Sequence, residues 1–369
     1  MARSSLAVIA ILATAVLGPG GPAAASQPAI GTWLAHFKAH DTMPGDWFGW
    51  GVAASGDTIL VGAPKHANKA GRAYVFTKGS HGWRETAELT GSDTDAGDFF
   101  GEAVALSGTT AVVAAPGYAS KAGNVYVFSK GSSGWRQVAE LNKAASAPSP
   151  SAIAVSGETV VVGSAVKPDL AGRVDVFTKT SVGWVRQTEL QAPNAGHAFG
   201  QGLISVAISG ATIVVGGGAR DGAFVYTRAP RGWGRTAVLP STGISPYGYS
   251  VAVSGPNIVL SAPSARADGR TSLHVFTRTA NGWEQVASSR PGVLGFIPAV
   301  AISGRTIIDA VVGLRIATGI YIYTQTSKGW RLAKALLGPL YQYGYVPAVS
   351  GPIAVVMGSN LDSVYVLHV

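Results

Sequence analysis

The sequence contains no cysteine, which removes disulfides, thiolate metal ligands and a thiol nucleophile from consideration. Charged residues make up only 13% of the chain, and carboxylates number 19 among 369 residues. Few pairs are therefore available to act as acid and nucleophile across a scissile bond. The low charge and 47% hydrophobic content exclude a chain held open by self-repulsion. No stretch reaches the roughly 20 apolar residues that a membrane-spanning helix requires. None of the seven histidines sits in an HExxH or other metal-ligand spacing, and GxSxG does not occur. His274, in the alternating run SLHVF, reads as a surface or interblade residue and not as a base. No residue is singled out as catalytic, and the chain is read as a non-enzyme.

What is present in excess is glycine, 49 residues, which fits an all-β protein with many tight turns. The first residues have the three parts of an export signal. Arg3 supplies the basic start, Leu6 to Leu17 the apolar stretch, and Ala23-Ala24-Ala25 a small-residue cleavage site. Residues 1–25 are therefore expected to be a signal peptide cut after Ala25, and residues 26–369 one secreted, extracellular domain. That location, and the lack of any base-reading motif, argue against nucleic acid as a partner.

The chain repeats itself. A Ser-Gly pair begins at Ser55, Ser107, Ser156, Ser209, Ser254, Ser303 and Ser350, recurring about every 50 residues. Each pair is followed by an apolar run such as TILVGAP, then by an alternating run such as RAYVFTK. A Gly-Trp step then opens a polar run such as WRETAEL. These four segments predict four antiparallel strands, here called a to d from first to last. Glycine supplies the positive φ of the a–b turn, and strand b is apolar on both faces, as a strand between neighbouring sheets must be. In strand c, Ala73, Val75 and Thr77 face one way and Tyr74, Phe76 and Lys78 the other. A single such sheet cannot bury two apolar faces, but a radial stack can. The fold class is therefore an all-β, seven-bladed β-propeller of four-stranded antiparallel blades.

Counting also predicts how the ring closes. There are seven c strands but only six Gly-Trp d strands after them, at Trp83, Trp135, Trp184, Trp233, Trp283 and Trp330. The missing one is GTWLAHFKA around Trp33. The N-terminal strand is thus expected to complete the last blade, with Trp33 in register with the other six tryptophans, all seven serving packing.

In the segment from Gly45 to Phe76, Phe48-Gly49 and Gly62-Ala63-Pro64 stand at the spacing of the FG-GAP repeat. The next repeat has Phe100-Gly101 and an Ala114-Ala115-Pro116 variant, and later blades depart further, with Phe199-Gly200, Tyr247-Gly248 and Tyr343-Gly344. The chain resembles the bacterial secreted FG-GAP proteins and, more distantly, the integrin α-subunit propeller. The resemblance implies that the aromatic wedges between blades and that Gly-Ala-Pro turns the chain out of strand b. It also implies calcium in the b–c loops, but KHANKAG, GYASKAG, VKPDLAG, ARDG and SARADG lack the clustered oxygen ligands such a site needs. No cofactor is expected on that ground. The one alternative place for calcium is Asp93, Asp95 and Asp98 in GSDTDAGD, which turn formation by aspartate side chains also explains.

Trp47 and Trp50 flank Phe48-Gly49 and are the candidate ligand-stacking residues, with interblade packing as the competing explanation. The formal charge of the chain is +9, and Arg3 contributes one of it. Much of the rest repeats, as Lys78, Lys130, Lys179, Arg228 and Arg278 at the ends of c strands and Arg84, Arg136, Arg186, Arg235 and Arg331 just after the tryptophans. Cations at an exposed outer edge discourage edge-to-edge pairing, and they also offer a rim for an anionic cell-surface polymer. The expected function is a monomeric, non-enzymatic binding or adhesion module for an extracellular protein or glycan. The alternatives are a polysaccharide-acting propeller hydrolase or lyase, and charge-driven association with anionic cell-envelope polymers.

Overall fold

In a computed structural model of the chain, every repeat folds as the expected four-stranded antiparallel sheet, and seven such sheets form the ring. The structure describes residues 27–117, 123–141, 149–166, 171–190, 205–216, 222–240, 250–262, 271–290, 297–312, 318–338, 347–358 and 362–369. The expected signal peptide lies outside them. The first blade pairs Val52–Ser55, Thr58–Ala63, Arg72–Gly79 and Gly82–Leu89 in that order. Phe48 to Gly51, read from sequence as part of strand a, instead form the turn that leads into it. No helix among the described residues is long and apolar enough to cross a membrane.

Apolar side chains gather between blades, so the core is divided into seven packets. Tyr74 and Phe76 join Val355, Val364 and Val366 of the last blade, whereas Ala73 and Val75 on the opposite face join Ala111, Val113 and Phe128 of the second. The period-two alternation of strand c thus serves two neighbours at once. Each of the six tryptophans that opens a d strand packs at the edge of the packet its blade shares with the preceding blade.

The ring closes through the N-terminal strand. Trp33–Phe37 pairs antiparallel with Val364–His368 and completes the sheet that also holds Ile353–Met357 and Ala348–Ser350. Its register differs from the sequence expectation. Trp83 lies opposite Lys78, but Trp33 lies opposite Leu367. The counterpart of Lys78 is Val369, since both donate the backbone N–H to the second residue of their own a–b turn, Asp57 and Pro352 respectively. Trp33 is therefore displaced by two residues, and the tryptophan slot falls to Gly31, where an added Cβ would meet Lys334 Cγ at 2.9 Å. Trp33 is left 39% exposed with its ring edge on Tyr365, so six tryptophans share the repeated packing position and the seventh does not.

The Ser-Gly pairs do more than turn the chain. All seven glycines hold φ between +53° and +56°, the left-handed value required at the first central position of a tight hairpin turn. Their N–H groups point to the preceding blade, where each meets a serine. Gly108 donates to Ser55 Oγ, Gly157 to Ser107, Gly210 to Ser156, Gly255 to Ser209, Gly304 to Ser254 and Gly351 to Ser303, at 3.0 to 3.4 Å. Gly56 donates to Ser350 at 2.8 Å, which carries the belt across the two ends of the chain. Each bond is expected to contribute about 1 kcal/mol. Ser156→Ala should accordingly lower the urea midpoint without changing the slope of the transition, and an unchanged midpoint would show that the belt has no energetic weight.

One carboxyl is sealed in the wall between the fifth and sixth blades. Asp309, on strand b of the sixth, is fully buried and accepts one hydrogen bond from Ser261 Oγ at 3.1 Å, while its Oδ2 has no partner. Burial pushes its pKa up to about 7. Because the unfolded carboxyl ionises near 3.8, the folded state binds the proton more tightly, and stability falls as pH rises from about 4 to about 7. The loss is of the order of 4 kcal/mol and is complete above that range. Asp309→Asn should therefore leave the melting temperature nearly unchanged at about pH 4 and raise it progressively towards pH 8. A variant that gains nothing at the higher pH would contradict this assignment.

Candidate functional site

The aromatic-rich corner between the last blade and the first is built by one turn that the second blade repeats. In Gly45-Asp46-Trp47-Phe48-Gly49, Asp46 Oδ2 accepts the N–H of Met43 at 2.8 Å. In Gly97-Asp98-Phe99-Phe100-Gly101, Asp98 Oδ2 accepts the N–H of Asp95 at 2.7 Å. The next residue takes a left-handed φ in both, +60° at Trp47 and +57° at Phe99. The following phenylalanine is fully buried as an interblade wedge, Phe48 edge-on to Tyr74 and Phe76, and Phe100 edge-on to Phe128. The wedge role implied by the motif is thus what the aromatic does here. Since Phe99 shares the unusual backbone of Trp47, that backbone belongs to the turn and is no mark of a special site.

Trp47 and Trp50 come together, stacked at 4.4 Å with an 18° interplanar angle. Lys65 Nζ sits 3.4 Å from the centre of the Trp47 ring, a cation–π contact. With Trp50 on one face, an ammonium this close fits only on the other, so both faces of Trp47 are occupied from within the chain. In the second blade the corresponding turn residues are Phe99 and Glu102, and the backbone bond from Trp50 N–H to the Trp47 carbonyl recurs between them. The indole pair is thus specific to the first blade. Lys65 as its third member was not legible from sequence, because a lysine in a loop carries no sign of which ring it will cover.

Of the three aspartates of GSDTDAGD, Asp93 and Asp98 use their side chains for separate duties, and Asp95 contributes its backbone N–H. Asp93 accepts the Tyr126 hydroxyl at 2.7 Å, while the carboxylate of Asp98, itself buried, closes the turn on the backbone of Asp95. Burial first, and then Asp93, hold the Tyr126 phenol far above its ordinary range. The first blade repeats this pairing, with the Tyr74 hydroxyl on Asp41 at 2.8 Å and the phenol raised for the same reasons.

Among the described residues, the three groups whose ligand atoms lie within 4.8 Å of one another are His40, Asp41 and Glu88. Each is already engaged. His40 Nδ1 lies 2.8 Å from Glu85, whose carboxylate raises the imidazole pKa, Asp41 accepts from Tyr74, and Arg72 binds Glu88 at 2.7 Å. His66 bridges the same corner, with Nδ1 2.9 Å from Asp46 and Nε2 3.5 Å from Asp41. The set reads as an ion-pair network that ties the d–a and b–c loops to the first blade. Of the b–c loops, only Lys65–Gly71 is described throughout, and it contains no carboxylate. His274 is buried between blades, and burial lowers its pKa, which keeps it neutral.

Most of the repeated cations stand exposed as expected. Arg186 departs from the pattern, because it turns to Asp175 and Glu189 at 2.5 and 2.7 Å and is neutralised there.

A family model described as FG-GAP repeat matches residues 32–76 and 83–128. Both matches begin in a d strand and end in the c strand of the following blade, so the sequence repeat straddles two blades. No curated protein matches the chain. Among solved structures, a chain of a mitotic checkpoint complex aligns over 98% of this chain and 99% of its own, with a TM-score of 0.64 at 13% identity. A chain of hydrazine synthase from Kuenenia stuttgartiensis aligns over 91% and 98%, with a TM-score of 0.57 at 15% identity. At such identities the likeness is one of fold alone. The chain is therefore a seven-bladed β-propeller that carries FG-GAP repeats through its first two blades.

Proposed function

We propose that the protein is a secreted, non-enzymatic binding or adhesion module that engages an extracellular protein or glycan through the loop face of its first two blades. The observation that carries this reading is the stacked pair Trp47 and Trp50, with Lys65 over Trp47, beside the ion pairs of Asp46 and His66 in the d–a and b–c loops. A preordered aromatic edge gives contact area at little entropic cost on binding. The carboxylates around it support binding over catalysis, because Asp41, Asp46, Asp93 and Asp98 are each committed to a hydrogen bond that shapes a loop. The full chain, passed over an array of glycans and extracellular proteins at high salt, is expected to be retained by one class of ligand. Trp50→Ala should then weaken that retention roughly tenfold, the scale of one lost aromatic contact, with only the small melting shift of a lost stack worth about 0.5–1.5 kcal/mol. Turnover of any member of a polysaccharide panel would replace this reading with a hydrolase or lyase.

A further inference from the structure

The face opposite the loops carries a different chemistry. Both the a–b turns and the c–d hairpins lie on it, and the backbone locks the two together. Lys78, Lys130, Lys179, Arg228 and Arg278 each donate their N–H to the second residue of their own a–b turn, at 2.8 to 2.9 Å. One register position, repeated in five successive blades, therefore places a cation on this face. In the sixth blade that position is Gln325, and the cation moves across the same backbone bond to Arg305, whose guanidinium holds the Gln325 carbonyl. All six side chains belong to exposed residues, and none has an ion-pair partner among the described residues. The d strands add Arg84, Arg136 and Arg331 beside them, also exposed.

Carboxylates are scarce where these cations stand. The described ones on the hairpin face are Asp57, Glu158 and Glu284, and Glu284 is hydrogen-bonded to Thr279. The aspartate-rich turns and the ends of the d strands that carry Glu88, Glu140 and Glu189 belong to the other face. Among the described residues, the positive charge is thus concentrated on one ring of hairpins, at one or more cations per blade around six blades. Uncompensated charge at fixed spacing recognises an extended array of anions better than a single one, since each exposed contact is weak and many must act together.

We infer that the hairpin face binds a linear polyanion, a polymer bearing sulfate, phosphate or carboxylate groups along its length, laid across several blades. This rests on the reading of the chain as a binding module but uses the face away from Trp47 and Trp50. A lipid surface fits less well. The hairpin tips are small and polar, as in Ser80-His81, Ser132-Ser133 and Ser327-Lys328, with Val182 the one large apolar side chain exposed on a described tip. Stable attachment to a bilayer needs apolar insertion as well as charge.

The test uses the full chain with immobilised heparin, long-chain polyphosphate, tripolyphosphate and vesicles containing phosphatidylglycerol. Heparin and long polyphosphate should both retain the protein, with log affinity falling linearly against log salt. The triple variant Lys130→Glu, Lys179→Glu, Arg228→Glu should lose affinity roughly tenfold or more, with the salt slope flatter by about 3. Lys69→Glu, on the loop face, should bind as the parent does. Long polyphosphate should compete far better than tripolyphosphate at equal phosphate concentration, because only the long chain reaches several blades. If the triple variant keeps parental affinity while melting normally, if tripolyphosphate competes equally, or if vesicles are held and the polymers are not, the inference is wrong. Since Trp50→Ala alters only the loop face, loss of array binding and loss of polyanion binding report on the two proposals separately.

Discussion

Removal of residues 26–40 is expected to lower the melting temperature by up to about 10 °C and to convert a monodisperse protein into one that associates. The strand Trp33–Phe37 closes the last blade by backbone pairing, but Ala35 and Phe37 also pack in the core packet shared with the first. Phe37 stacks on Phe76 at 4.4 Å and approaches Trp83 at 6.4 Å, and Ala35 and Ala39 fill the same packet. Phe37 is only partly buried, so it contributes less than the roughly 1.5–3 kcal/mol of a fully buried phenylalanine, and its aromatic pair adds about 0.5–1.5. With the ladder and the alanines, the strand supplies roughly 5 kcal/mol, a large part of the 5–15 kcal/mol that usually separates folded from unfolded. For a domain of this size that corresponds to about 2 °C or somewhat less for each kcal/mol. The truncation also bares Val364–His368 as a sheet edge, which is a template for association. Thermal melts by circular dichroism and size-exclusion chromatography read both effects. A truncated chain that melts with the parent and stays monodisperse would show that the ring does not depend on its clasp.

The second large effect is expected from a single methyl group. A Cβ placed on Gly62 would lie 1.9 Å from the carbonyl oxygen of Gly101 and 2.8 Å from its carbonyl carbon, both backbone atoms of the next blade. Gly101 is confined in turn, with φ +95° and with the Arg72 carbonyl 2.3 Å from where its own Cβ would stand. The glycine of Gly-Ala-Pro in one blade and the glycine of Phe-Gly in the next are thus pressed together, so the two halves of the motif meet across a blade boundary. Neither backbone can retreat, because Gly62 donates to the Gly51 carbonyl at 2.8 Å and accepts from Gly49 at 2.9 Å. Gly62→Ala should cost about 3 kcal/mol, the upper end for overpacking a core, read as a shift of the denaturation midpoint. The same change at Gly79, where the nearest atom is 3.9 Å away and φ is negative, should be neutral or slightly stabilising. Equal effects at the two sites would mean that glycine at position 62 is not there for the close approach.

The glycine-on-glycine contact is not repeated at the next boundary. The second blade has Ala114 where the first has Gly62, and the blade after it lacks Phe-Gly at its entrance. At the boundary between the last blade and the first, Phe48-Gly49 instead arrives against Met357, so a glycine is not always what receives it. The number of blades, the four strands and the identity of the closing strand were all legible in the sequence. Each follows from local chemistry repeated seven times, a glycine at each positive φ and a two-sided apolar run in each strand b. The belt of serines was not legible, since a hydroxyl beside a glycine signals a turn, and only the ring geometry brings it to the next blade. The displaced Trp33 escaped for a related reason. Register in six blades is set by the c–d hairpin, whereas the closing strand has no hairpin and takes its register from Phe37 and Ala35 packing inward. At the site, Asp98 closes a turn, one of the two readings open in the sequence, but the tyrosines that Asp41 and Asp93 bind lie 33 residues away in sequence, and no local pattern announces such a partner.

The clasp has a further consequence for the order of events as the chain folds. Most strand pairs in the ring join near neighbours in sequence, and such contacts form quickly. The pairing of Trp33–Phe37 with Val364–His368 joins opposite ends of the protein. It must await nearly the entire chain, and it carries the largest loop-closure entropy of any contact in the molecule. The first strand is therefore an unpaired, partly apolar segment during most of synthesis, lying against a first blade that has already formed. Phe37 on Phe76 and Trp83 gives it a place to rest in the meantime, so the side-chain half of the clasp can be set before the last blade exists to supply the backbone half.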